Sequence, residues 1–198
     1  MNTYWDSCYE SGKYVYGKQP NRFLKAQAAI FKSEQTVISI GDGEGRNGVW
    51  LAEQGLNVLS IDNSSVGLAK ARALSRERNT NISTLQTDLL TWTWPNARFD
   101  HVVVVFIHFA PIERKRMHIA FRRALKPSGH LIYVAFSPTQ LAFRTGGLEK
   151  LELLVTGAML KENFAGMKIL TLKEGVEDLS EGSLHQGLAS TVRMVARV

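Results

Sequence analysis

Short apolar runs alternate along this chain with stretches of helical period. Residues 37–40 are apolar and largely β-branched, as a buried parallel strand requires, and they end in Gly41, Gly43 and Gly45. From Asn47 the period lengthens: Val49, Leu51 and Ala52 mark the inner face of a helix that Gly55 stops. Residues 57–61 form a second strand closed by Asp62, and Ser64 or Ser65 caps a helix to about residue 78 that packs Val66, Leu68, Ala69 and Leu74. Residues 82–86 are a third strand ending in Thr87, Asp88 and Leu89. The run 99–109, FDHVVVVFIHF, is apolar on both faces like a central parallel strand, and it delivers Ile107 and His108 at its carboxyl end. Pro111 opens a helix reaching residue 125. Residues 126–129, KPSG, turn into a strand over 131–136. A polar loop covers 137–147 and a helix falls within 148–164. Residues 167–172 and 191–198 have no helix between them long enough for a crossover, so they pair antiparallel. The pattern predicts an α/β fold with five βα units and a doubly wound, mostly parallel seven-stranded sheet. Helices cover both faces, and the C-terminal strand is antiparallel.

The N-terminal stretch reads differently. Four of the five tyrosines, Tyr4, Tyr9, Tyr14 and Tyr16, precede residue 17, with Trp5 among them. Residues 1–18 are expected to be an aromatic arm that anchors on the core or closes as a lid, whose rings can face a cation. After a turn at 17–20, Asn21 caps a helix to about residue 31, with Phe23, Leu24, Ala28 and Ile30 inward. Asp6 and Glu10 are expected in solvent, Cys8 as a free thiol, and Trp92 and Trp94 over a sheet edge.

Composition bounds the alternatives. With 198 residues, 44% hydrophobic and 21% charged, one domain over 1–198 is expected, the arm at 1–18 and the core at 19–198. No run is long enough to span a bilayer, the N-terminus lacks a signal-peptide layout, and a single cysteine offers neither an internal disulfide nor a metal cluster, so a cytoplasmic address is expected. The net charge of +6 raises nucleic acid as a partner. The basic residues are dispersed, however, except Arg114, Lys115, Arg116, Arg122 and Arg123 on one expected helix, a run equally explained as a solvated face.

The chemistry gathers at residues 36–64. A strand, a glycine turn, a helix start and a second strand ending in an acid make a unit suited to adenosine-bearing cofactors. Bare backbone approaches the ligand, helix N–H groups point at it, and the acid accepts ribose hydroxyls. Gly43, Gly45 and Gly48 match the dinucleotide spacing GxGxxG; Gly41, Gly43 and Gly45 match the looser GxGxG of S-adenosylmethionine (SAM) enzymes. Asp42 and Glu44 inside the turn would repel a pyrophosphate and tolerate a methionine ammonium and sulfonium, which favours SAM. A dinucleotide dehydrogenase would also need chain for a substrate domain. Asp88, with the Leu89 N–H, is placed to meet an adenine.

On these residues, and on Tyr16-Gly17, Pro20 to Leu24, Ile40 to Asn47, Asp62, Asp88-Leu89, Leu125 to Gly129 and Glu181 to His185, the chain resembles class I SAM-dependent methyltransferases over nearly its whole length. It looks closest to the small bacterial group holding the tellurite-resistance and thiol- or thiopurine-type enzymes. The resemblance implies a Rossmann-like sheet of order 3-2-1-4-5-7-6, SAM as cofactor and S-adenosylhomocysteine as product. It implies Gly41, Asp42, Gly43, Glu44, Gly45, Arg46 and Asn47 at the methionine end, Asp62 with Asn63 and Ser64 at the ribose, and Asp88 and Leu89 at the adenine. Phe106 and Ile107 would lie at the sulfonium side, with Tyr16 and Asn21 completing the set. Many relatives carry an acid where this chain has Ser39, and a small residue or cysteine at Asp42; Asp42 or Glu44 could replace the lost acid.

Methyl transfer needs alignment more than acid–base help, and a base only when the acceptor must lose a proton. His108 is the first candidate base and His185 the second, against structural roles for both; His101, His118 and His130 look structural. Arg46 suits an anionic acceptor or a backbone cap. Three functions stay open: a small-molecule methyltransferase (a thiol or chalcogen oxyanion as acceptor, the enzyme a monomer or homodimer), an RNA or protein methyltransferase using the basic helix, and a non-catalytic SAM or nucleotide binder.

Overall fold

The computed structural model describes residues 4–143, 145–147 and 150–198. Its strands are β1 (Thr36–Ile40), β2 (Asn57–Asp62), β3 (Ser83–Gln86), β4 (Phe99–Val105), β5 (Leu125–Phe136), β6 (Lys168–Ser180) and β7 (Gln186–Arg197). They form one seven-stranded sheet in the order β3-β2-β1-β4-β5-β7-β6. The β1–β2, β2–β3 and β4–β5 pairs are parallel; β5–β7 and β6–β7 are antiparallel. The Rossmann-like architecture and the strand order are those expected from the sequence. The chain divides into two compact units, residues 1–92 with 181–184, and residues 93–180 with 185–198.

In the first unit, Ile40 pairs with Ile61, and Asp62 with Gln86, so the three strands finish at one edge. Helix α1 spans Tyr4–Tyr9 and α2 spans Arg22–Lys25. The Asn21 side chain accepts from the N–H groups of Phe23 and Leu24 as a cap should, but α2 ends after one turn and a 3-10 turn follows at Ala28–Ile30. Of the four residues expected inward only Leu24 is fully buried, and Ala28 is exposed; no continuous apolar face sustains a longer helix. Helix α3 (Arg46–Glu53) buries Val49 and Leu51 as expected. Helix α4 (Ser65–Glu77) buries Gly67, Leu68, Ala71 and Leu74, while Ala69 faces out.

In the second unit, β4 stops at Val105, short of the expected run, because Phe106 turns the chain with φ of 55° while its N–H still donates to the Val134 carbonyl at 2.8 Å. Ile107 and His108 therefore lie in a loop. Helix α5 (Pro111–Ala124) starts at the proline, and Glu113 accepts from the Ala110 N–H at 3.1 Å. Much of its basic run serves the unit's own loops. Buried Arg114 donates to the carbonyls of Glu152 and Leu154, Arg122 to that of Ala165, and Arg123 to the Asn96 side chain. Strand β5 starts at Leu125, absorbing the expected turn through a residue in the left-handed region (Ser128, φ 65°) and a register shift between Phe99 and His101. Helix α6 (Gly157–Asn163) and a 3-10 turn at Leu151–Leu153 fall in the window expected to hold a helix. Residues 148 and 149 of that window, 144 of the preceding loop and 1–3 of the arm lie outside the described residues. Strands β6 and β7 run longer than their apolar patterns, pairing from Lys168–Arg197 to Ser180–Gln186. The Trp94 ring meets Phe121 of α5 at 5.2 Å rather than covering a sheet edge.

Candidate cofactor site

The glycine turn is braced from within. Asp42 is buried and accepts from Ser39 Oγ at 2.7 Å, Ser60 Oγ at 2.6 Å and the Gly48 N–H at 3.1 Å. A Cβ on Gly48 would lie 2.2 Å from Asp42 Oδ2, so glycine there is a condition of the brace. Burial raises the Asp42 pKa against those three hydrogen bonds. Glu44 is also buried: Oε1 receives Lys70 Nζ at 2.5 Å, and Oε2 receives the N–H of Val15 at 2.8 Å and of Tyr16 at 3.4 Å. Both acids thus hold the chain to itself.

Asp62 ends β2 as expected. Its Oδ2 accepts from the Gly43 N–H at 2.9 Å and its Oδ1 from the Ser64 N–H at 2.8 Å, fixing the carboxylate against the turn. Burial raises its pKa, and the N–H donors of Ser64 and Gly43 oppose the shift. Each oxygen keeps a lone pair for a further donor. Ser64 caps α4, accepting from the Gly67 N–H at 2.9 Å and donating to Asp6 Oδ1 at 2.7 Å, so its hydroxyl is committed to the fold. Asn63 is exposed beside it. Asp88 is exposed too, and its Oδ1 accepts from the Leu90 N–H at 2.9 Å, the turn-capping arrangement that a surface aspartate adopts.

Arg46 opens α3. It is buried and donates from Nη2 to Glu181 Oε2 at 2.6 Å, while its buried Nη1 has no hydrogen-bond partner among the described residues. Glu181 also accepts from Asn21 Nδ2 at 2.8 Å, and the Asn21 N–H donates to Asn47 Oδ1 at 2.9 Å. These four polar residues join the glycine turn, the segment after the arm and residues 181–184 in one buried network.

Three partners here escaped the sequence pattern. Asp6, expected in solvent, is 3% exposed and accepts from Ser64 Oγ and the Val66 N–H, adding a second acceptor at the start of α4. The signal was the i, i+3 spacing of Asp6 and Tyr9, the two buried residues of α1. Lys70 carried no signal, since its partners lie far away in the chain; Glu181 stood in a stretch that carries the resemblance, but nothing there pointed to Arg46 and Asn21 as its partners. Within the described part of the arm Tyr9 is buried, its ring stacked on Trp5 at 5.8 Å and edge-on to Tyr16 at 6.5 Å. Burial raises the pKa of both phenols, that of Tyr16 to about 12.

In the second unit, an aromatic cluster surrounds the two candidate histidines. Phe106 lies 4.5 Å from Phe136 and 4.7 Å from His185, centroid to centroid; His108 lies parallel to Phe136 at 6.1 Å. Burial, with a smaller contribution from His185, lowers the His108 pKa to about 4, so its imidazole is neutral near pH 7. His101 is buried and stacked on His130 at 5.5 Å. His118 lies between Tyr133 Oη at 3.0 Å and Asn163 Nδ2 at 3.1 Å. Both sit in the sheet and its packing, the structural roles expected of them.

Among the described residues no helix is long and apolar enough to cross a membrane. The family model described as a methyltransferase domain matches residues 37–129, which hold the glycine turn, Asp62, Asp88 and His108. Glycine/sarcosine N-methyltransferase of Halorhodospira halochloris is 34% identical over 104 residues, which cover 48% of this chain and 38% of that protein. The chain thus spans well under half the length of this curated relative. TehB of Haemophilus influenzae shares the fold with a TM-score of 0.74 at 21% identity, over 98% of this chain and 65% of the other. Magnesium protoporphyrin IX methyltransferase of Synechocystis PCC 6803, solved with bound SAH, does so with a TM-score of 0.72 at 16% identity, over 98% and 95%. The methyltransferase-domain match covers just under half of this chain, and the two solved structures share its fold.

Proposed function

We propose that this chain is a SAM-dependent methyltransferase acting on a small-molecule acceptor, a thiol or a chalcogen oxyanion, as a cytoplasmic monomer or homodimer. The observation that carries the cofactor assignment is Asp62, a carboxylate locked by the N–H groups of Gly43 and Ser64 where β2 ends. It is thereby presented, already oriented, for a pair of ribose hydroxyls. A second observation is the buried Arg46 Nη1, a donor that a carboxylate such as the methionine end of SAM would satisfy. In this assignment Gly41, Gly43, Gly45, Arg46 and Asn47 hold the methionine end, Asp62 and Asn63 the ribose, and Asp88 with Leu89 the adenine. Tyr16 and Asn21 contribute from the N-terminal side, and Phe106 and Ile107 belong to the sulfonium side. Bound SAM supplies a methyl group made electrophilic by its sulfonium.

The protein's part is orientation and exclusion of water, effects that supply about 7–11 kcal/mol in favourable systems. His108 and His185 are assigned to the acceptor. With a pKa of about 4, His108 is a poor sink for a thiol proton near 8.5, a mismatch of roughly 6 kcal/mol. It acts as a hydrogen-bond acceptor that orients the nucleophile, and the acceptor brings its own reactivity. That favours soft nucleophiles over amines and hydroxyls, and the neutral imidazole among Phe106 and Phe136 favours a thiol over an oxyanion. Calorimetry with SAM, S-adenosylhomocysteine and NAD tests the cofactor; NAD binding without a response to SAM would overturn it. Transfer of tritiated methyl across thiols, selenium and tellurium oxyanions, amines and bulk RNA tests the acceptor, with label expected on thiols.

A further inference from the structure

We propose that Lys70 is a positioning residue for the cofactor site, its ammonium folding the N-terminal arm onto the glycine turn through Glu44. The inference rests on the assignment of that turn to SAM. Lys70 Nζ donates to the carbonyls of Tyr9 at 3.0 Å, Ser11 at 2.8 Å and Lys13 at 2.7 Å, and to Glu44 Oε1 at 2.5 Å. Four acceptors converge on one ammonium, whose side chain is 16% exposed. Three main-chain carbonyls from a five-residue stretch do not turn toward one point without a cation there, because their dipoles repel. The Tyr14 ring lies 5.2 Å from the same ammonium, and the Tyr14 hydroxyl returns a hydrogen bond to the Lys70 carbonyl at 3.0 Å. Beyond Tyr14, the other Glu44 oxygen receives the N–H groups of Val15 and Tyr16. One buried carboxylate, itself a member of the glycine turn, thus takes Lys70 on one oxygen and the arm backbone on the other.

The consequence falls on Gly43. With residues 9–13 wrapped on Lys70, the Tyr9 hydroxyl lies 2.6 Å from where a Gly43 Cβ would stand, and the ring lies 2.9 Å from a Cβ on Gly67. Tyr9 therefore forms a wall on the turn whose N–H holds Asp62. Lys70 touches neither Gly43 nor Asp62; it acts by keeping that wall and Glu44 in place. Arginine could replace the charge but not the geometry, since a planar fork spreads its donors outward, whereas the three N–H groups of a compact ammonium, one of them shared, reach four acceptors that converge on one point.

Two readouts test this, one of them independent of cofactor. In the protein without ligand, trypsin cleaves after Lys13 and Lys18 slowly while the arm is held; Lys70→Met is expected to speed that cleavage at least tenfold, and Lys70→Arg less. By calorimetry, Lys70→Met is expected to raise the SAM Kd about tenfold with kcat at saturating SAM changed less than twofold, and Lys70→Arg to recover part of the loss. The double variant Lys70→Met/Glu44→Gln removes the unpaired buried carboxylate and secures a folded protein, checked by its melting curve; it is expected to show the same loosened arm. Cleavage unchanged in both variants overturns the latch. A freed arm with an unchanged SAM Kd overturns the positioning role. A wild-type protein that does not bind SAM overturns the cofactor assignment beneath it, while the cleavage rates still judge the latch.

Discussion

Glu181 offers the sharpest test of how the first unit is held together. Its side chain is 3% exposed, pairs with a 7% exposed Arg46 at 2.6 Å, and takes Asn21 Nδ2 on its other oxygen at 2.8 Å. Glu181→Ala takes the acid from a buried guanidinium whose Nη1 already lacks a partner among the described residues. Breaking a buried pair from one side costs about 3–5 kcal/mol, most of it the stranded charge. At about 2.1 cal/mol/K per residue, 198 residues carry an unfolding entropy of about 0.4 kcal/mol/K, so Tm falls by roughly 7–12 °C. Glu181→Gln keeps a partner for Asn21 and loses less, and Arg46→Met/Glu181→Leu removes both charges and recovers most of the loss. Differential scanning calorimetry at low and high salt gives the answer, because a desolvated pair is screened little. A drop under 2 °C in Glu181→Ala, or one that vanishes at 1 M salt, would refute a buried, energetically coupled pair.

The other expectations concern the turn and the histidines. Asp62→Ala should weaken SAM binding by roughly 1–3 kcal/mol, the scale of removing a partner from a buried hydrogen-bonded charge; an unchanged Kd in calorimetry would detach Asp62 from the ribose. Gly48→Ala forces a Cβ to within 2.2 Å of Asp42 Oδ2 and 2.3 Å of Ser60 Oγ, and overpacking of that kind costs about 1–3 kcal/mol, read as a lower urea midpoint. The pKa of His118 is lowered to about 3 by burial and by Arg114. It is neutral in the fold and titrates near 6.5 when unfolded, so its contribution is present above pH 6.5 and is lost as pH falls toward 3, with a slope of about 1.4 kcal/mol per pH unit. Asp42 and Asp62, raised by burial, take up protons as pH falls and offset part of the overall slope. The measurement is therefore the difference in slope between wild type and His118→Phe over pH 6–4.5, and equal slopes would remove His118 from the acid response.

What was legible in the sequence follows from range. The strands could be read because β-branched runs such as 102–105 are buried on both faces and each is a local signal; their order in the sheet came from the family resemblance. Asp62 was legible because a strand end two turns of helix after a glycine cluster has one place to go. Element ends were less so. Phe99–Val105 looked four residues longer because Phe106, Ile107 and Phe109 are apolar, and nothing in composition announces that Phe106 turns with φ of 55°. The helix after Asn21 was overextended for the same reason in reverse: scattered apolar residues matched a helical period without a surface to bury them. Long-range polar partners were not legible at all. Lys70 finds carbonyls 57 to 61 residues away, and a solvated lysine would have had the same sequence.

The acids of the glycine turn show how an expectation can rest on the wrong charge. Read from sequence, Asp42 and Glu44 place two negative charges where a pyrophosphate would lie, and so favour a cofactor with a cationic tail. In the fold Glu44 is offset by Lys70 at 2.5 Å and faces the arm backbone, while burial pushes the Asp42 pKa upward and its oxygens accept from two serines and Gly48. The repulsion that a pyrophosphate would meet is therefore weaker than the formal charges suggest. On the proposed assignment, discrimination falls instead to the buried Arg46 donor, to the locked Asp62 carboxylate and to the size of the space that the arm leaves over Gly43. Of these only the last distinguishes a short methionine tail from a second nucleotide. If the arm does so, loosening it with Lys70→Met should relax the choice of cofactor as well as weaken SAM. NAD, expected not to bind the wild-type protein, should then bind measurably to the variant by calorimetry; continued exclusion of NAD from a variant with a demonstrably freed arm would return the choice to the electrostatics of Arg46 and Asp62.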